Sequence, residues 1–389
     1  MTLTKPLAAL VAGVLLPVAL AAPAAAAQVS ASPDPAMPTF NGDVSDILYV
    51  GDTVYVGGTF TTATPATGSP AARGHGAAFD AATGQLTGWN PKTAGAIYDL
   101  ASTPAGIAVG GTFAKAGGQL HKNLAIVDPV TGAAAASFTG SVSSKVRALE
   151  YANDRLYVGG TFTSVDGQPR TGVAAYDYRA SVSPPWSLST WGPRLTGTTT
   201  VITIESAPGR IYLGGKFGGV NATPNSADLA AVDPGTGSTV TSWDPSVNYT
   251  VNDVEAGPAG VYAAADGPGG HLRALAVSDG HDLWDLTADG GYQAVTVFGP
   301  DIYFGGHFDN VCSTTATGTH GTCTGGVMAT RHKLGAVDTS GTLQPWAPVG
   351  NSPLGVHALE NDASGHLGAG GTFDHINNRA RSGFAQFDS

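Results

Sequence analysis

Charge is scarce in this sequence: only 12% of its 389 residues are Asp, Glu, Lys or Arg, half the usual share of about 25%. The balance is acidic, with a formal net charge of −11, which argues against nucleic acid and against anionic membrane surfaces as partners. Sustained 3.6-residue periodicity is missing from every stretch, so the class reads as all-β. Catalytic signatures are missing as well. There is no Gly-x-Ser-x-Gly elbow, no His-Glu-x-x-His, no phosphate loop and no nucleophilic cysteine. Apolar runs of membrane length are absent: the longest, Leu7 to Ala22, is short and interrupted by Pro17. Lys5 precedes it and Ala25-Ala26-Ala27 follows, the pattern of a secretory signal peptide over residues 1–27. With no cysteine beside the cleavage point, no twin arginine and no apolar C-terminal tail, the mature chain is expected to be secreted, extracellular and monomeric, without a membrane span.

Cysteine occurs twice, at Cys312 and Cys323, within one Thr/Gly-rich segment. In an exported protein these two are expected to form a disulfide, closing a small loop and stabilising it by about 3 kcal/mol. Two thiols alone do not fill a tetrahedral metal shell, and no metal or other cofactor is expected.

Glycine is abundant instead, with 55 residues, about twice average usage and suited to many tight turns between short strands. The heptad Leu156-Tyr-Val-Gly-Gly-Thr-Phe162 has near-copies ending at Phe60, Phe113, Phe217, Phe308 and Phe373, and a decayed one over Val261 to Gly267. A period near 50 residues built from short strands is the mark of propeller blades. Each repeat carries four strand-like pieces, the last ending in an aromatic such as Trp89, Phe138, Trp191, Trp243 or Trp346. The final repeat stops after its third piece, and Met37-Pro-Thr-Phe40 near the other end has no blade of its own. The expected architecture is therefore a seven-bladed β-propeller over residues 37–389, closed by an N-terminal strand that completes the last blade, with residues 28–36 as a linker.

The pattern of aromatic-Val-Gly-Gly-Thr-Phe, then a polar stretch with Gly and Arg, then Ala-hydrophobic-Asp and Thr-Gly, resembles bacterial β-propeller repeats of uncharacterised function found in secreted proteins. It is also similar to the propeller of fungal Rax2-like cell-surface polarity proteins. Phe162 to Arg170 and Phe373 to Arg379 carry the likeness best. The resemblance implies the fold across residues 37–389 and no catalytic motif. Ala264-Ala265-Asp266 departs from it, which puts the regularity of the fifth blade in question.

Comparison of the repeats with one another separates scaffold from candidate site. The first position of the first strand is Val44, Ile97, Val146, Val201, Val251 and Val356, and the fourth is equally uniform; these belong to the core. The second position differs in every repeat: Ser45, Tyr98, Arg147, Ile202, Asn252, Gln293 and His357. Next to it stand Asp46, Asp99 and Asp253. The blander account is a wet channel mouth lined by polar groups; the sharper one is a ligand ring of Tyr98, Arg147, Asn252, Gln293 and His357 with carboxylates Asp46, Asp99 and Asp253. Where most repeats have Gly-Gly-Thr-Phe, three consecutive ones carry Lys216, Asp266 and His307, a second candidate polar sector. The loop Asp309 to Lys333, with both cysteines, is expected to stand over that sector. The repeated Arg73, Lys122, Arg170, Arg273 and Arg381 are read as hydrogen-bonding groups within their repeats.

Two function classes follow. The first is an extracellular binding propeller for a cell-wall, carbohydrate or protein ligand, engaged on the face bearing the long loop. The alternative is a carbohydrate-active enzyme. A glycoside hydrolase needs two carboxylates across a cleft, for which Asp99 with Asp253 or Asp46 are candidates. A lyase would use His357 or Tyr98 as base with Arg147 holding an acidic sugar.

Overall fold

The computed structural model of the chain describes residues 29–315, 323–324, 326–352 and 354–389; the expected signal peptide, 1–27, lies outside the described residues, as does part of the cysteine loop. The protein is all-β, with no helix among the described residues. Seven antiparallel sheets follow one another in sequence, each built as first strand, second strand, third strand. The first strands are Val44–Val50, Ile97–Thr103, Val146–Ala152, Thr200–Ala207, Val251–Gly257, Tyr292–Phe298 and Val356–Asn361. Every first strand packs beside the first strand of the next sheet, and the last packs beside Val44–Val50.

The second strands, such as Thr53–Gly58 and Arg155–Gly160, are buried nearly from end to end, because a sheet flanked on both faces hides both side-chain rows. Their paired glycines answer two close approaches. A Cβ on Gly110, Gly159 or Gly305 would come within 2.6, 2.6 and 2.7 Å of Val146, Val201 and Val356 of the following sheet, and one on Gly370 within 2.9 Å of Val44. The seventh sheet thus meets the first through the same kind of glycine-to-valine contact that joins the second, third, fourth and sixth sheets to their successors; the first sheet's Gly57 meets Ile97 instead, and the fifth carries Ala264 in place of the glycine. The second glycine of each pair faces the backbone at the start of the first strand, where the ladder is irregular: in all seven sheets a bulge falls just after Val44, Ile97, Val146, Val201, Val251, Tyr292 or Val356, the first position of the repeat. A bulge leaves one residue unpaired and re-aims its side chain, and here that residue is always the variable second position.

A full fourth strand forms in the third sheet, Trp186–Leu188, and in the fifth, Asp282–Thr287. Elsewhere the fourth piece is a single bridge, for instance Phe79↔Leu86 and Val337↔Leu343, because the Asp-turn before it and the buried aromatic after it leave little chain to pair. The terminal aromatics are core: Trp89, Trp191, Trp243 and Trp346 are buried. Each lies 4.8 to 5.1 Å, centroid to centroid, from a second-strand tyrosine, Tyr157, Tyr212, Tyr303 or Tyr55.

The N-terminal segment runs along the last strand, Phe384–Asp388. Ser30 N donates to Asp388 O, Asp34 N to Gln386 O and Phe40 N to Ser382 O, and Val29 and Phe40 are buried. The segment's own regular strand is short, Thr39–Phe40, and pairs with Thr62–Thr64, which with Ala71–Ala72 forms a small separate sheet between the second and third strands of the first sheet. The cysteines form the expected disulfide, with Cα atoms 5.4 Å apart, joining Cys312 at the end of Asn310–Cys312 to Cys323, which precedes the paired strand Met328–Thr330.

Candidate functional site

The first strands surround a cavity of about 540 Å³. Seven of the ten candidate ligand residues line it: Tyr98, Asp99, Arg147, Asn252, Asp253, Gln293 and His357. Lys216, Asp266 and His307 do not. Lys216 is exposed at the end of Arg210–Lys216. Asp266 Oδ1 accepts a hydrogen bond from Asn252 Nδ2 at 3.0 Å. His307 Nε2 accepts one from Gly291 N at 3.1 Å, the service that Thr59 Oγ1 performs for Asp43 N at 3.1 Å in the first sheet. His307 therefore replaces a threonine in the same scaffold role. No described residue of the loop 309–333 lines the cavity.

The aspartates of the third position tie neighbouring sheets together. Asp46 Oδ2 accepts from Leu100 N at 2.8 Å, Asp99 Oδ2 from Leu149 N at 2.6 Å, and Asp253 Oδ2 from Val295 N at 2.9 Å. Each acceptor reaches the fourth residue of the next first strand, an edge strand that leaves N–H groups unpaired on its open side. Burial pushes all three carboxyls up: Asp99 to about 7, Asp253 to about 6, and Asp46 well above its ordinary range, with the adjoining Asp99 carboxyl adding to the rise.

One further ring escaped the sequence reading. The fifth residues of four first strands are Glu150, Glu205, Glu255 and Glu360, all lining the cavity. They are the only four glutamates in the chain, and extending the repeat comparison by one residue would have found them. Glu205 Oε1 accepts from Ala256 N at 3.3 Å, Glu255 accepts from Val297 N, and Ser206 Oγ donates to Glu150. These bonds again run to the next sheet. Burial, then repulsion among the carboxyls, raises Glu205 to about 9 and Glu255 and Glu360 to about 8. A desolvated group facing like charges keeps its proton, so the interior holds fewer negative charges than its seven carboxyls suggest.

At the mouth the second-position side chains differ from this scaffold in having atoms to spare. Arg147 Nε, Gln293 Oε1 and His357 Nε2 are buried without a hydrogen-bond partner among the described residues. Burial holds His357 and Arg147 below their ordinary pKa ranges. Tyr98 carries Lys145 Nζ at 4.7 Å from its ring centroid. The mouth thus offers an aromatic face, a guanidinium, an imidazole and an amide within one concave site, while the carboxyls beneath are engaged with backbone.

No protein-family model matches the chain, and no curated protein matches it. Among solved structures it is similar to the WD40 β-propeller domain of Doa1, at 9% identity and a TM-score of 0.53, covering 91% of this chain and 96% of that one. It is also similar to the computationally designed Ika8 protein, at 13% identity and a TM-score of 0.50, covering 90% and 98%. Identities this low speak for fold alone, and together with the helix-free sheet architecture they make this an all-β chain of β-propeller likeness.

Proposed function

We propose that the chain is a secreted, monomeric, seven-bladed β-propeller whose channel mouth binds an extracellular ligand, a cell-wall carbohydrate or a protein. The seven consecutive sheets, the repeated glycine-to-valine contact between the last and the first, and the N-terminal segment bonded along the last strand support seven blades and ring closure. The Gly-Gly-Thr-Phe repeats support membership of the secreted bacterial propeller-repeat type, and the apolar leader supports export. A propeller is a general scaffold for interaction, so the function has to be argued from the site.

One observation carries the binding reading. Around the cavity, scaffold positions agree from sheet to sheet, whereas the bulged second position is different in all seven and holds the unpartnered atoms of Arg147, Gln293 and His357. Leaving buried polar atoms unpaired costs about 1–3 kcal/mol each, a cost that a ligand offering hydroxyls or carbonyls would remove. A glycan array on the mature protein tests this. Ligands should be captured by the wild type and lost from Arg147→Ala/Gln293→Ala; capture that is identical in the two proteins would refute the site.

The enzyme reading retains one supporting observation, the buried Asp46–Asp99 pair, whose raised pKa values suit a general acid at neutral pH. Depolymerisation of a captured glycan that disappears in Asp99→Asn would favour it over binding alone.

A further inference from the structure

We propose that the top of the second sheet, the end where its second strand leaves and its first strand begins, seats a carboxylate-bearing polysaccharide chain that continues to the cavity mouth. This inference rests on the binding reading above and names its ligand class.

The first observation is a groove of about 630 Å³ lined by Phe113, Leu120, His121, Lys122, Thr139 and Ser141. Its origin is local. In the first, third and sixth sheets an arginine crosses this place: Arg73 donates to Thr87 O at 2.9 Å, Arg170 to Ser189 O at 3.1 Å and Arg331 to Gln344 O at 2.9 Å. The backbone register, with Gly58 N bonded to His75 O and Gly111 N to Asn123 O, puts His121 rather than Lys122 at the arginine's position. This corrects the sequence alignment, in which Lys122 stood with Arg73 and Arg170. His121 makes no side-chain hydrogen bond to the fourth piece among the described residues, and it lines the groove instead. Lys122 is left exposed.

The second observation is charge. In a chain with a net charge of −11, residues 90 to 147 hold Lys92, Lys115, Lys122, Lys145 and Arg147 against only two carboxylates, Asp99 and Asp128. Asp99 is spent on Leu149 N inside the channel, and Asp128 lies in the turn at the opposite end of the sheet, past the Val127↔Ile107 pair. Lys92, Lys115 and Lys122 are exposed, and none of the four lysines is ion-paired among the described residues. Lys333, by contrast, meets Asp309 at 2.7 Å. From the third sheet, the exposed Asp166 accepts from Ser141 N at 2.7 Å at the groove's edge, so lysines outnumber carboxylates there, and this surplus of cations in an otherwise acidic molecule calls for an anionic partner. The strip leads from the groove through Lys145 and Tyr98 to Arg147 at the mouth.

The mouth decides between anions. Gln293 Oε1 is an unpartnered acceptor and requires a donor. In an acidic peptide the ionised side chains only accept and each residue has a single backbone N–H to donate, whereas each unit of a uronic-acid chain brings a carboxylate for the lysines and several hydroxyl donors for the amide.

The experiment measures binding of an octagalacturonate to the mature chain by calorimetry at 50 and 300 mM salt. Neutral galactan oligomers and oligoglutamate of equal charge serve as competitors. The octagalacturonate is expected to bind, to weaken at the higher salt as screening shortens to within a few ångströms, and to lose about tenfold or more in affinity in Lys115→Ala/Lys122→Ala. Arg179→Ala, at the far end of the third sheet, should leave it unchanged. Octagalacturonate affinity unaltered in the lysine variant overturns this inference and leaves the mouth as a binding site. Preference for the neutral oligomer overturns the anionic class, and preference for oligoglutamate overturns the polysaccharide. Binding of no glycan, charged or neutral, overturns the carbohydrate reading with it.

Discussion

The channel interior and the top of the second sheet both concentrate charge, but they handle it in opposite ways. Inside, seven carboxyls face one another, and most are tied by hydrogen bonds to the backbone or hydroxyl of the next sheet, as Asp253 is to Val295 N and Glu205 to Ala256 N. On the second sheet, lysines stand in solvent with no counter-ion among the described residues. Desolvated, bonded groups hold a fold together because their partners have no other acceptor. Solvated, unpaired groups contribute almost nothing to stability and remain available to a ligand. The difference assigns the interior to architecture and the rim to recognition, although in sequence both are merely polar positions in a repeat.

The sharpest way to break this assignment is to remove one interior acceptor. We predict that Asp253→Ala lowers unfolding free energy by about 3 kcal/mol, since it strands the N–H groups of Val295 and Val254; denaturant titration measures it, and a loss under about 0.5 kcal/mol would place Asp253 outside the scaffold.

A second effect is expected from pH. The raised carboxyls bind protons more tightly folded than unfolded, so their contribution to stability is complete below about pH 4. It is lost as pH rises through about 6 for Asp253, 7 for Asp99, 8 for Glu255 and Glu360, and 9 for Glu205. Arg147 and His357 face the same cavity, and their desolvation does not reverse this sign. The unfolding midpoint should fall between pH 5 and pH 9, and Glu205→Gln/Glu255→Gln should flatten the curve. A midpoint rising over that interval would contradict the burial account.

A smaller gain is predicted for His121→Arg, which rebuilds the bridge seen at Arg73 and Arg170. Stability should increase by about 0.5–1 kcal/mol while octagalacturonate affinity falls, because the groove closes. Smallest of all, Lys115→Ala/Lys122→Ala should change stability by less than about 0.5 kcal/mol.

The repeats made the fold readable because six of the seven sheets present the same glycine pair to a neighbour, the fifth having Ala264-Ala265: Gly110 is read against Val146 as Gly305 is against Val356. The ring of second-position residues was readable for the converse reason, since a position that varies among repeats is not fixed by the shared scaffold, although Asn252 spends its amide on Asp266 and on Tyr292 O of the next sheet. What stayed hidden depended on register. The bulge that aims Tyr98 and Arg147 into the cavity is a property of strand pairing, and His121 takes the arginine's place only once Gly111 N is seen to bond Asn123 O. His307 looked like a site residue because its type is unusual, yet its Nε2 does a threonine's work. Residue identity alone does not separate those roles; a hydrogen-bond partner does.

The measurement that bears most directly on the division between interior and rim pairs two readouts on two variants, unfolding midpoint and octagalacturonate affinity for Asp253→Ala and for Lys115→Ala/Lys122→Ala, below the melting range of both. The predicted result is a crossed one: the first variant loses midpoint and keeps affinity, and the second loses affinity and keeps its midpoint. If the two readouts move together in either variant, architecture and recognition are not divided between these two regions.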